Sequence, residues 1–95
     1  MTEFAKDERL DKWLWYARFV KTRSLAQKII TQGKLRLDGE KIINPARKVR
    51  PDNVLTITLE REVKIIKILG LPQRRGPYVE AQTFYEDLCP VSAKQ

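Results

Sequence analysis

The 95-residue sequence contains no histidine and a single cysteine, Cys89. Without histidine it lacks the commonest zinc ligand and the commonest general base. One cysteine permits no internal disulfide, and Cys89 is expected to be an incidental thiol. Apolar runs are short, none approaching the roughly 20 residues that span a bilayer. Met1 to Glu8 is polar and carries acids, so it resembles neither a secretory signal nor an Arg-rich transit peptide. The expected location is therefore cytoplasmic. Clustered carboxylates and a Gly-rich phosphate loop are also missing. The chain is accordingly expected to be no enzyme and to need no metal or cofactor.

What the sequence does have is positive charge. Nineteen Lys/Arg against twelve Asp/Glu give a net +7, with a pI near 9.8. Residues 9–50 hold twelve basic and three acidic side chains, a net +9, and the remainder carries −2. A polyanion should therefore meet residues 9–50. A hydrophobic fraction of 42% with 33% charged residues suits one small folded domain.

The apolar pattern gives the element order. Leu10, Trp13, Leu14, Ala17 and Phe19 or Val20 recur at helical spacing, with Asp7 as a candidate N-cap. Lys21-Thr22-Arg23 interrupts, and a second helix reads from about Ser24 to Gln32, capped by Thr22 or Ser24. Leu25, Ala26, Ile29 and Ile30 form its apolar stripe, and Gly33 ends it. Lys34 to Leu37 and Glu40 to Ile43 flank Asp38-Gly39, a hairpin signal. Leu35 and Leu37 should face inward. A basic loop, Arg47 to Arg50, lies between Pro45 and Pro51. Strands are expected over Val54 to Leu59 and Val63 to Leu69, around a charged turn at Glu60-Arg61-Glu62. A last helix is expected from Pro77 to Leu88, with Ala81, Phe84, Tyr85 and Leu88 on its apolar face and Pro90 as its stop. This is an α+β domain with a small, mainly antiparallel sheet.

On the first helix, Arg9, Lys12, Tyr16 and Phe19 share the outward face. The second helix turns Arg23, Gln27 and Lys28 outward, with Gln32 near its end. The hairpin adds Lys34 and Arg36, and the loop adds Arg47 and Lys48. Such a surface suits RNA. Cations displace counterions from phosphates, arginine forks bind phosphate oxygens, and a helix start near Thr22 to Ser24 offers free N–H groups. Trp13 is expected in the core. Trp15 and Tyr16 are left between core and contact. Arg74-Arg75 fits a second RNA contact and an ordinary loop equally well. Asp11 reads as a structural partner for a nearby cation.

The run Arg9-Leu10-Asp11-Lys12-Trp13-Leu14, then Arg18, Thr22-Arg23-Ser24-Leu25-Ala26, Ile29-Ile30 and Gly33-Lys34-Leu35-Arg36-Leu37-Asp38-Gly39, resembles the S4-type RNA-binding domain. Gln73-Arg74-Arg75-Gly76-Pro77, with Ala81-Gln82 and Tyr85-Glu86, is similar to the bacterial heat shock protein 15 family. Where such domains often have Gly-Asp before the strand, this chain has Asp52-Asn53, and Asn tolerates positive φ. The resemblance implies two N-terminal helices on the sheet (the αL motif) plus a C-terminal helix. It places the S4-type domain at 9–59, an extension of the same unit at 60–90, and flexible tails at 1–8 and 91–95.

It also implies a partner: ribosomal RNA of the free large subunit that still carries a nascent chain on its tRNA, in the recycling of stalled subunits. The contacts would be made by Arg9, Lys12, Arg18, Lys21, Thr22, Arg23, Gln27, Lys28, Gln32, Lys34, Arg36, Arg47 and Lys48. Arg18 lies between the buried and open faces and could instead pair with an acid. The alternative is a general binder of structured RNA or DNA. A membrane-surface role is disfavoured, because neither basic helix can expose its apolar stripe without losing the core. A monomer is expected.

Overall fold

Two short helices, a hairpin and a returning chain close over one apolar core in a computed structural model that describes residues 7–58 and 62–88. The elements run β1 (Glu8–Arg9), α1 (Leu10–Tyr16), α2 (Arg23–Thr31), β2 (Leu35–Leu37), β3 (Glu40–Ile42), β4 (Lys48–Val49), β5 (Val54–Thr58), β6 (Val63–Ile68), α3 (Tyr78–Ala81), a 3-10 turn (Gln82–Phe84) and β7 (Tyr85–Asp87). The α+β class and the antiparallel sheet match the sequence expectation. Leu59, Glu60, Arg61, Cys89, Pro90 and both outer tails lie outside the described residues.

Both helices of the pair end in the same way. At the close of α2, Gly33 takes φ +77°. Its N–H donates to Ile30 O, and Lys34 N–H donates to Ile29 O. That reciprocal pair satisfies the last carbonyls in a Schellman motif. At the close of α1 the left-handed position is filled by Arg18, φ +66°, with Arg18 N–H on Trp15 O and Phe19 N–H on Leu14 O. The first helix is therefore shorter than its periodicity suggests. Phe19 does not share the outward face with Lys12. The turn folds it back onto Trp13, ring centroids 5.8 Å apart.

Thr22 caps α2, its Oγ1 accepting from Leu25 N–H at 3.0 Å. Asp7 caps nothing. The N-cap of α1 is Arg9, with no side-chain cap, and backbone carbonyls satisfy the helix start instead. Leu10 N–H donates to Arg47 O at 2.8 Å and Asp11 N–H to Pro45 O at 3.2 Å. Glu8, assigned to the N-terminal arm by sequence, pairs with Val49 in the two-stranded β1–β4 sheet.

The main sheet has the order β3-β2-β5-β6-β7, antiparallel throughout. Asp38 (φ +51°) and Gly39 (φ +89°) make the hairpin turn, both residues left-handed as a two-residue turn of this twist requires. Asp38 Oδ1 accepts from Val54 N–H and its Oδ2 from Asn53 Nδ2. Asp52, not Asn53, carries the positive φ before β5. Asn53 instead accepts from Arg50 N–H at 2.7 Å.

Leu10, Trp13, Leu14, Ala26, Ile30, Leu35, Leu55, Ile66 and Ile68 are fully buried in one cluster. Leu25 is 39% exposed, contrary to its place in the expected stripe, because α2 meets the core through Ala26 and Ile30.

The last helix is the largest departure. Only Tyr78–Ala81 is α-helical, and Tyr85–Asp87 returns as an edge strand on β6. The apolar spacing that mimics a helix serves another end. Phe84 O accepts from Leu69 N–H and Gly70 N–H, and Tyr85 packs on Phe19 and Trp13 at 4.6 and 6.4 Å. Pairing the backbone groups of the β6 edge outweighs three further residues of helix.

Candidate nucleic-acid interface

Asp11 is fully buried, and it is the single buried polar or charged residue among those described. An isolated buried carboxylate would be heavily penalised, so its partners define the site. Arg9 donates from Nε to Oδ1 at 3.1 Å and from Nη2 to Oδ2 at 3.0 Å. Gln27 Nε2 donates to Oδ2 at 2.9 Å. Arg23 Nε reaches the same oxygen at 3.4 Å. Burial pushes the Asp11 pKa up. The hydrogen bonds of Gln27 and Arg9 and the charges of Arg23 and Arg9 outweigh that, so the net shift is down.

Helical spacing explains the convergence. Arg23 and Gln27 are four residues apart and share one face of α2, and that face meets the start of α1. Three of the sequence-predicted contact residues are thereby brought onto one hub. The Arg9 and Arg23 side chains nevertheless remain 39% exposed, with further N–H groups available.

Around this hub lie other predicted residues. Lys12 sits 3.8 Å from Glu8 Oε2 and over the Tyr16 ring at 5.6 Å. Lys21, Lys28, Gln32 and Lys34 are exposed along α2 and its ends. None of those three lysines enters an ion pair with a described residue. The Thr22 hydroxyl oxygen accepts the capping bond from Leu25 N–H. Lys48 is 3.8 Å from Asp7 Oδ1. Arg47 and Lys48 join Leu37, Asp38, Arg50, Pro51 and Asn53 around a shallow recess of about 470 Å³.

Two predicted residues fall elsewhere. Arg36 pairs across the sheet with Lys41 and Thr56, on the face opposite the buried Leu35 and Leu37. Its Nη1 donates to Gly39 O at 3.2 Å. It is thus separated from the helix pair by the sheet itself. Arg18 donates from Nε to Gly76 O at 2.6 Å, so its partner is a carbonyl and not an acid.

Arg75, left open by sequence, is half-buried. Its Nη1 bonds the carbonyls of Trp15 and Val20, and its guanidinium lies over the Trp15 ring at 5.6 Å. Burial and the neighbouring Arg18 charge hold its pKa below that of an ordinary arginine. Arg74 pairs with Glu80 at 2.9 Å. Trp13 is in the core, as expected, with its indole N–H on Gly70 O at 3.0 Å. No local signal marks Arg75, because its partners are more than fifty residues away.

No cluster of three or more metal-ligating side chains occurs among the described residues. No described helix is long and apolar enough to cross a membrane.

Known proteins are similar to this chain in sequence and in fold. The S4 domain family model matches residues 8–55. Heat shock protein 15 of Escherichia coli strain K12 is 36% identical over 83 residues, covering 87% of this chain and 62% of that protein. The heat shock protein 15 homolog of Haemophilus influenzae is 39% identical over 82 residues, covering 86% and 62%. The chain therefore spans about three fifths of the length of the curated relatives it matches. Among solved structures, the trimeric heat shock protein 15 of Vibrio cholerae superposes with a TM-score of 0.82 at 34% identity, over 93% of this chain and 86% of that one.

Proposed function

Because the chain belongs to the S4-domain, heat shock protein 15 family, we propose that it is a non-catalytic RNA-binding protein acting in the cytoplasm. The finer reading is that it binds ribosomal RNA of the free large subunit carrying a nascent chain on tRNA, in the recycling of stalled subunits. The observation that carries RNA binding is the convergence of Arg9, Arg23 and Gln27 on Asp11, with exposed Lys28 on α2 and exposed Lys21 and Lys34 beyond its two ends. Fixed guanidiniums with spare donors bind phosphate oxygens directionally. The surrounding lysines add charge that steers a polyanion and releases its counterions.

Arg9, Lys12, Lys21, Arg23, Gln27, Lys28, Gln32 and Lys34 form the central contact surface in this proposal, with Thr22 shaping the start of α2. Arg47 and Lys48 extend it past the start of α1. Arg18 and Arg36 are assigned lesser parts, given their bonds to Gly76 and Gly39. Residues 9–59 are the RNA-binding unit and residues 60–90 its buttress. The chain is taken to act as a monomer, a point that light scattering would decide against the trimer named for the Vibrio cholerae relative.

Co-sedimentation with separated ribosomal subunits across a salt series tests the reading. Binding confined to large subunits that bear a tRNA-linked nascent chain supports the recycling role. Equal, salt-labile binding to every RNA and DNA offered would reduce the protein to a general binder, since phosphate contacts alone do not distinguish the polymers.

A further inference from the structure

We propose that Asp11 is a positioning residue for RNA binding: it yokes Arg9 and Arg23 into a single clamp that takes one phosphodiester group between them. The inference rests on the RNA-binding reading above and specifies how that site works.

Two guanidiniums brought together repel, and here both touch the same carboxylate oxygen, Oδ2. The buried anion offsets that repulsion, with Arg9 Nη2 at 3.0 Å and Arg23 Nε at 3.4 Å from one oxygen atom. It is wholly shielded from solvent, while each arginine is 39% exposed. The negative charge therefore faces inward and the surplus positive charge faces out.

Donor counting points the same way. Arg9 commits Nε and Nη2 to Asp11, which leaves its Nη1. Arg23 commits Nε alone, which leaves both of its Nη groups. Gln27 adds a third bond to Oδ2. The spare N–H groups are thus held near each other before any ligand arrives. A tetrahedral phosphate, with two free oxygens, suits two such forks. Holding them in advance lowers the entropy lost on binding.

Such a clamp reverses the sign of an ordinary charge effect. Asp11→Asn raises the net charge by one. Generic attraction to a polyanion would then strengthen RNA binding. The clamp requires the opposite, because the two arginines lose the anion that holds them together.

The test measures affinity for a labelled stem-loop RNA by fluorescence anisotropy, at a temperature where circular dichroism shows every variant folded. Asp52→Asn serves as the charge control, since Asp52 is 85% exposed and pairs with Lys67 instead. The clamp predicts that Asp11→Asn weakens binding by about tenfold, while Asp52→Asn binds as tightly as the parent or more tightly. Asp11→Asn binding equal to or tighter than the parent would overturn the clamp. If Asp11→Asn does not fold, a cycle of Arg9→Ala, Arg23→Ala and the double variant decides. A double loss close to either single loss supports one shared phosphate, and strictly additive losses overturn it. A parent protein that binds no RNA would sink the functional reading itself, an outcome distinct from the failure of the clamp alone.

Discussion

Arg18 and Arg75 each bond the backbone of the other's loop. Arg18 reaches Gly76 O, beside Arg75, and Arg75 reaches Trp15 O and Val20 O, on either side of Arg18. The turn between the two helices is thereby fastened to the 71–77 segment. Arg75→Ala should cost about 2 kcal/mol, because charged hydrogen bonds to two partly buried carbonyls are removed together. In a thermal melt that is a fall of roughly 8–16 °C for a domain of this size. A melt unchanged within a degree would show that the latch contributes nothing.

Arg18 occupies a left-handed position that favours glycine, so two substitutions there should diverge. Arg18→Gly loses the Gly76 bond and relieves the backbone, leaving stability within about 1 kcal/mol of the parent. Arg18→Ala loses the bond and keeps the strain, and should be less stable than Arg18→Gly by about 1 kcal/mol. Chemical denaturation of the two variants side by side measures the difference. Equal stability would argue against a left-handed residue 18.

Burial separates two leucines that look alike in sequence. Leu14 is fully buried and Leu25 is 39% exposed. Leu14→Ala should therefore cost about 2–5 kcal/mol. Leu25→Ala should stay under about 1 kcal/mol. Denaturant midpoints check both, and comparable losses would contradict the packing of α2.

The depressed pKa of Asp11 makes stability depend on acid. An unfolded aspartate titrates at about 3.9. Because the folded value is lower, the carboxylate stabilises the fold above that unfolded value. The contribution is lost as pH falls through the folded one. Asp11→Asn should thus be less stable than the parent at neutral pH, with the gap narrowing below about pH 4. A gap that is constant from neutrality to acid would mean the charge plays no part.

For the exposed cations the expected effect is on binding and not on folding. Lys28→Ala and Lys34→Ala should each leave the melt unchanged. Each should flatten the log–log salt dependence of RNA affinity by up to about one unit for every phosphate the lysine neutralises. Unchanged slopes would place those lysines outside the interface.

The helix pair and hairpin are legible in the sequence because their signals are local. Thr22 caps within three residues, Gly33 ends α2 at once, and Asp38-Gly39 sits between alternating strands. Asp11 is readable as a partner for a cation, since an acid inside an apolar stripe needs one. The gathering of Arg9, Arg23 and Gln27 on it is not, because it depends on how α2 crosses α1. Arg36 lies opposite the core-facing leucines, as the alternation predicts, but its distance from the helix pair is not legible in the sequence, because which face the helices cover is settled by packing. β1, β4 and β7 have two or three residues each, too few to display a period. The spacing of Ala81, Phe84, Tyr85 and Leu88 suits a helix as well as it suits a turn followed by a strand.

Main-chain bonds from Leu10 to Arg47 and from Asp11 to Pro45 hold the start of α1 to the basic loop. Those bonds ask nothing of the side chains at positions 46 to 48. The loop is therefore a socket whose frame is set while its contents are exchangeable. Replacing Arg47 should leave the scaffold in place, whereas replacing Lys48 also removes its ion pair with Asp7.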